Sequence, residues 1–153
     1  MSLDTDRALM MQALDCARDA YRQGEVPVGA VLVDRAGNVV ARAANSPIAS
    51  HDATAHAEIV ALRAAGQAFR NYRLPECSLF VTLEPCAMCV GALVHARIER
   101  VVFATPDPKT GACGSVFDLA ASPRLTHRLN VLGGVMAEES AALLRRFFAE
   151  RRS

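Results

Sequence analysis

Two short stretches of this 153-residue chain carry side chains able to hold a metal and move a proton. His56-Ala57-Glu58 offers an imidazole and a carboxylate, and Pro85-Cys86-Ala87-Met88-Cys89 offers two thiols. An imidazole and two thiols are donors that zinc takes, and a zinc ion with three protein ligands keeps its fourth position open for water. That is the arrangement of catalytic rather than structural zinc. Glu58 is then a carboxylate the metal does not need. Cys86 and Cys89 stand three apart, so on a helix they share one face and can grip a single ion. In a first helical turn, the positive end of the helix dipole and the metal both favour thiolate over thiol. Glu58 follows His56 by two positions, and helical spacing alone does not fix its direction, because helix starts distort.

Taken alone, Cys86-x-x-Cys89 reads as well as a structural zinc clip or a thioredoxin-like redox pair as it does as part of a catalytic zinc site. A structural site needs two further ligands, and the usual second Cys-x-x-Cys is missing. The spare candidates are Cys77, Cys113, His51, His95 and His127, and none repeats a ligand spacing. A redox pair would not require the upstream His56 and Glu58. With both halves present, the pattern points to catalytic zinc. Singly, His51, His95 and His127 read as solvated or hydrogen-bonded structural residues, and Cys16 and Cys113 as small buried hydrophobes.

The elements that must position these groups follow from periodicity and breakers. Leu3 to Gln23 reads as an amphipathic helix, with Leu9, Ala13, Cys16, Ala17 and Ala20 at three- and four-residue steps and Gly24 as its stop. Val26–Val33 and Val39–Ala43 read as strands joined by a turn containing Asp34 and Gly37-Asn38. A loop with Asn45, Pro47, Ser50 and Asp52 leads to a helix from about His56 to Ala65, closed near Gly66. Leu79–Leu83 is a short buried strand. Pro85 takes the first helical position, and that helix runs to about His95. Arg100–Ala104 is a strand, Thr105–Ser115 a Pro- and Gly-rich loop, Leu129–Val135 a last strand, and Ala137–Arg152 a helix with Leu143, Leu144, Phe147 and Phe148 on its apolar side. Strands alternating with helices imply a mixed α/β sheet with helices on its faces. Both metal-binding stretches then fall at helix N-termini just after loops.

Length and composition fit one domain, residues 1–153, large enough to bury a core. Hydrophobic residues make up 52% and charged residues 22%, ordinary for a globular protein. Aromatics are only 5% with no Trp, so Ala, Val and Leu must build the core. No apolar run reaches the ~18–20 residues that span a bilayer, and the start of the chain lacks the order of a signal peptide, so a cytoplasmic protein is expected. An odd number of cysteines, five, argues against a disulfide scaffold. A net charge of +1 gives no overall basic bias, so any nucleic-acid footprint must be local. Arg145, Arg146, Arg151 and Arg152 are one such cluster, which reads equally well as the solvated side of a helix.

Beyond the two metal-binding stretches, much of the sequence resembles a known family. Glu25-Val26-Pro27-Val28-Gly29-Ala30, Asn45-Ser46-Pro47-Ile48, His51-Asp52-Ala53-Thr54-Ala55-His56-Ala57-Glu58, Asn71-Tyr72-Arg73-Leu74, Thr82-Leu83-Glu84-Pro85-Cys86-Ala87-Met88-Cys89 and Asp107-Pro108-Lys109-Thr110-Gly111 follow in order and spacing. They resemble the bacterial tRNA-specific adenosine deaminases, a branch of the cytidine deaminase-like superfamily. The His-x-Glu and Pro-Cys-x-x-Cys pattern is the known signature of zinc nucleobase deaminases as a whole. The Asn71–Leu74 and Lys109–Gly111 stretches point to the narrower branch.

The resemblance implies a three-layer α/β/α sandwich on a mixed five-stranded sheet, and a homodimer with the active site near the subunit interface. It implies one Zn2+ per chain on His56, Cys86 and Cys89, with Glu58 as the catalytic proton carrier. The implied substrate is tRNA, chiefly arginine tRNA, deaminated at the wobble adenosine to inosine. Asn45 corresponds to an asparagine that hydrogen-bonds the base edge, and Asp107 and Lys109 to residues approaching flanking nucleotides. Ala44 departs from a frequent Trp, Ala53 from a common Pro, and Thr105-Pro106 from the usual residues before Asp107. The long basic tail of some relatives is absent. These departures bear on tRNA affinity and loop selectivity and leave the zinc chemistry untouched. Two rivals share the zinc motif: a free nucleobase or nucleoside deaminase acting on guanine, cytosine or cytidine, and a non-enzymatic zinc-stabilised binding module.

Overall fold

The computed structural model describes residues 2–152, so the two ends of the expected domain, Met1 and Ser153, lie outside the described residues. Five strands form one sheet in the order β2-β1-β3-β4-β5. They are β1 (Gly29–Val33), β2 (Val39–Ala44), β3 (Ser78–Leu83), β4 (Arg100–Thr105) and β5 (Asn130–Gly133). β1 runs antiparallel to both β2 and β3, whereas β3, β4 and β5 are parallel. The sheet is mixed, as expected.

Period-two alternation sorts the apolar side chains into two cores. Ala30 and Leu32 of β1, Leu79 and Val81 of β3, and Val101 and Phe103 of β4 face helices α3 (Ala57–Phe69) and α4 (Ala87–His95). Val31, Val33, Phe80, Val102 and Ala104 face the other way, onto Leu9, Met10 and Ala13 of helix α1 (Leu3–Arg22). Helix α5 (Ala137–Arg152) lies on that second side, where the Ser140 hydroxyl donates to the Thr82 carbonyl over 2.6 Å. Both faces of β1 and β3 are therefore covered, which is why these strands read as unbroken apolar runs. The result is a three-layer α/β/α sandwich. Close approach of α1 to β1 needs Gly29, since a Cβ there would press into the backbone of Ala13 and Ala17.

Most expected elements stand within a residue or two of their places, and the exceptions have physical causes. The expected strand from Val26 starts only at Gly29, because Val28 N–H bonds back to Val26 and turns the chain. Inside the loop after β2 a single helical turn, α2 (Pro47–Ser50), closes on His51 in a left-handed conformation (φ 49°). α3 passes through Gly66 and ends at Phe69, with Arg70 as its left-handed cap. One interior glycine costs about 1 kcal/mol, too little to stop a helix whose Ala57, Ala61 and Ala65 are packed in the core. Pro85 is not in the first turn of α4: Cys86 is the N-cap, and the Pro85 carbonyl accepts from Ala112 N–H. The four C-terminal arginines do not act as one cluster. Arg146 and Arg151 turn toward Tyr21, Gly24 and Phe147, while Arg145 and Arg152 line a groove beside β3 and β4.

Candidate active site

α3 and α4 pack on the same face of the sheet, and their N-termini converge. His56 is the N-cap of α3 and Cys86 the N-cap of α4, both in extended backbone conformation, and Cys89 sits in the first turn of α4. His56 Nδ1 lies 3.6 Å from Cys86 Sγ and 3.5 Å from Cys89 Sγ. Tetrahedral zinc with Zn–N near 2.05 Å and Zn–S near 2.3 Å requires a nitrogen-to-sulfur separation of about 3.6 Å. The three donors are therefore already spaced for zinc. Among the described residues they are the one His/Cys/Asp/Glu group with metal-binding spacing. Cys77, Cys113, His51, His95 and His127 stay outside it, and so does Glu58. Three donors with no fourth is the set of a catalytic ion.

Electrostatics among the protein groups favour one thiolate, at Cys86. The Cys89 thiol donates to Cys86 and is the main reason the Cys86 pKa falls to about 4; burial opposes this, and His56 adds to it. Cys89, the donor in that bond and itself buried, is pushed well above the ordinary thiol range. The His56 imidazole is held above its usual pKa, first by the bond to Cys86. Two helix N-termini add their positive ends beside these sulfurs.

Glu58, whose direction helical spacing leaves open, is brought to the same point. It is 4% exposed, lies in the first turn of α3, and its carboxylate stands beside the Cys89 sulfur and the His56 imidazole. Burial raises its pKa, with the nearby His56 charge only partly offsetting this. A carboxyl raised toward neutrality and shielded from water is suited to taking and returning a proton. The arrangement can thus generate a nucleophile at the metal and move a proton beside it.

Asn45 forms one wall. It is buried at the end of β2, its backbone N–H bonds to Val28 and its Nδ2 donates to the Val26 carbonyl over 3.2 Å. Because Nδ2 is committed to a carbonyl, the amide orientation is fixed and the acceptor Oδ1 is left for another donor. The sequence reading missed Glu25, which holds this wall. Its buried carboxylate accepts from Ile48 N–H at 3.1 Å and Ala49 N–H at 2.8 Å, capping α2 from outside.

The opposite wall is the loop after β4. Asp107, expected to meet substrate, uses its carboxylate within the loop: Oδ1 accepts from Lys109 and Thr110 N–H, and Oδ2 from the Thr110 hydroxyl. Lys109 is exposed and lines a groove of about 770 Å³ between this loop and α5, with Arg145, Phe148 and Arg152. The loop hangs on Glu84, the second residue the sequence reading missed. Burial works against its charge, but the Ser115 hydroxyl and the N–H groups of Asp107, Cys113 and Ser115 prevail and lower its pKa. Both missed residues carried one signal. Each is an acid beside an apolar stretch of sequence, and a buried carboxylate must find donors.

Residues 3–105 match the family model of the cytidine and deoxycytidylate deaminase zinc-binding region. A tRNA-specific adenosine deaminase of Haemophilus influenzae is 49% identical over 147 residues, 96% of this chain and 85% of that protein. A solved structure from studies of A-to-I editing by tRNA:A34 deaminases superposes with a TM-score of 0.86 at 44% identity, covering 90% of this chain and 99% of that one. A guanine deaminase from Nitrosomonas europaea superposes with a TM-score of 0.78 at 26% identity, covering 94% and 84%. With its sheet order, its donor triad and these relatives, the chain belongs to the zinc-binding cytidine and deoxycytidylate deaminase family, in the branch of the tRNA-specific adenosine deaminases.

Proposed function

We propose that this protein is a zinc-dependent hydrolase that converts adenosine to inosine at the wobble position of a tRNA anticodon, with water replacing the 6-amino group and ammonia leaving. The observation that carries the reading is the buried Glu58 carboxyl set against the His56, Cys86 and Cys89 donors. In this reading those three residues hold one zinc ion per chain. Bound there, zinc lowers the pKa of water toward neutrality and so supplies a nucleophile at pH 7. Glu58 takes the proton released and delivers it to N1 of adenine as C6 is attacked, then takes the proton of the new C6 hydroxyl and delivers it to the departing amino group. Asn45, its amide fixed by Val26, orients the base edge.

The purine must leave the loop stack to enter, and an already single-stranded anticodon loop lowers that cost. Lys109, Arg145 and Arg152 along one groove supply the local positive charge that a net +1 does not reveal, and the exposed Phe148 beside them offers a stacking face. In this reading Asp107 shapes the loop that presents Lys109 to flanking nucleotides, and the arginine isoacceptor is the substrate. Lys109→Ala is expected to weaken binding of the stem-loop and to lower the slope of log K against log salt by about 1. Salt titrations of fluorescence anisotropy measure this, and an unchanged slope would remove the contact.

One deaminase domain, residues 1–153, acting as a homodimer in the cytoplasm completes the proposal. Met88, between the two thiol ligands, is 38% exposed beside the site, and Phe69 and Tyr72 are exposed at the opposite end of α3, apolar side chains that a second copy would cover. Among the described residues no helix is long and apolar enough to cross a membrane.

The rival reading is free-base or nucleoside salvage, which the same zinc core serves. Identity of 49% with a tRNA-specific relative against 26% with a guanine deaminase supports tRNA. The deciding assay follows ammonia release and inosine formation by the zinc-loaded protein on an arginine anticodon stem-loop, beside free adenosine, cytidine, cytosine and guanine. Turnover on the stem-loop alone is expected. Turnover on a free base or nucleoside alone would keep the mechanism and overturn the substrate.

A further inference from the structure

We infer that Glu84 is a positioning residue for substrate binding: one buried carboxylate holds the whole loop from Asp107 to Ser115 in the shape that presents Lys109 to the groove. Glu84 is 3% exposed and touches neither His56 nor Cys89 in any hydrogen bond. Its Oε1 accepts from Asp107 N–H at 3.0 Å and from the Ser115 hydroxyl. Its Oε2 accepts from Cys113 N–H at 2.9 Å and Ser115 N–H at 3.1 Å. Four donors from both ends of one loop thus converge on two oxygens. Gly111, midway along the loop, lies so close that a Cβ would strike the carboxylate. The loop could not close over Glu84 with any other residue there.

The geometry assigns a division of labour. Asp107 fixes the tip through Lys109 and Thr110, and Glu84 fixes Asp107. A glutamine in place of Glu84 keeps the shape but brings an NH2 group, and four donors no longer find four acceptor sites. The NH2 can meet the Ser115 hydroxyl, which can turn to accept, but not Asp107 N–H, which can only donate. The expected failure is therefore local, at the end of the loop that carries Lys109.

The test is Glu84→Gln in the zinc-loaded protein. Expected are one zinc per chain, kcat on the anticodon stem-loop within about threefold of wild type, and KM raised about tenfold, the scale of one charge-assisted hydrogen bond lost in a buried place. Hydrogen exchange should quicken most at the amide of Asp107, whose acceptor is lost, and stay unchanged in α3. Unchanged exchange at Asp107 would overturn the inference, as would a fall in kcat at constant KM or loss of zinc, since either marks a role in the metal site or the fold. If Glu84→Gln does not fold, Ser115→Ala removes only the hydroxyl donor. It should raise KM about threefold with quicker exchange at Cys113, and no change in either would be equally fatal. The KM arm rests on the tRNA reading above. A wild-type protein inactive on the stem-loop would overturn that reading, while the exchange arm would still decide how the loop is anchored.

Discussion

Glu58→Ala is expected to bind about one zinc per chain and to lose at least the ~10²–10⁴-fold typical of general acid–base catalysis. Zinc should stay because Glu58 is outside the donor set of His56, Cys86 and Cys89. Activity should go because no other carboxylate replaces it: Glu25 and Glu84, the other buried glutamates, are bound to backbone N–H groups of α2 and of the loop after β4. The fold should survive as well. Alanine is the best helix former, and the change removes a carboxylate that burial alone disfavours. Glu58→Gln sharpens the test, because its amide keeps the shape and the hydrogen bonds yet cannot carry a proton at neutral pH. Both variants should fall alike in single-turnover rate while metal analysis still gives one zinc. A glutamine variant at wild-type rate would reduce Glu58 to a scaffold for Cys89.

The difference between what the sequence shows and what it hides is a difference between repeating and converging information. α1 was legible because Leu9, Ala13, Cys16, Ala17 and Ala20 repeat the helical period over about three turns, and all five are buried. β1 and β3 were legible because both faces are covered, so polarity cannot interrupt them. The donor triad was legible because chemistry restricts which residue types zinc accepts. Glu58 was a different matter. His56 stands outside the helix, in extended conformation (φ −64°, ψ 152°), so the helical count begins only at Ala57 and spacing from His56 carries no angle. Only the arrival of α4 against the start of α3 brings Glu58 beside the two sulfurs. Glu25 and Glu84 were hidden for the same reason. Their donors come from residues 23 to 31 positions further along the chain, and nothing local announces such a meeting. Asp107 shows the reverse. Its bonds to Lys109 and Thr110 are local, the kind of turn that Asp regularly makes in a Pro- and Gly-rich loop.

Removing zinc should abolish turnover and leave the sandwich standing. The loss should exceed that of any side-chain variant, since zinc brings the pKa of water from 15.7 down to ≈ 7, and no residue near His56 substitutes for a shift of that size. The fold has a separate source of stability. The helix starts that carry the donors continue into residues locked in the core: Ala57, Ala61 and Ala65 of α3, and Val90 and Leu93 of α4. A zinc-finger peptide has no such core and unfolds when its metal goes, because metal binding supplies the folding energy. Here the core holds α3 and α4 against the sheet with or without the ion, and only the donors lose their common partner. Dialysis against a chelator should therefore give a protein with unchanged far-ultraviolet circular dichroism and a modestly lower Tm, inactive on every substrate, with activity restored by one equivalent of zinc. Wholesale unfolding in the chelator would instead make the zinc structural, and would favour the binding-module reading that the three-donor geometry now argues against. The same experiment thus weighs the metal's two roles against each other in one tube, with circular dichroism reading the fold and ammonia release reading the chemistry.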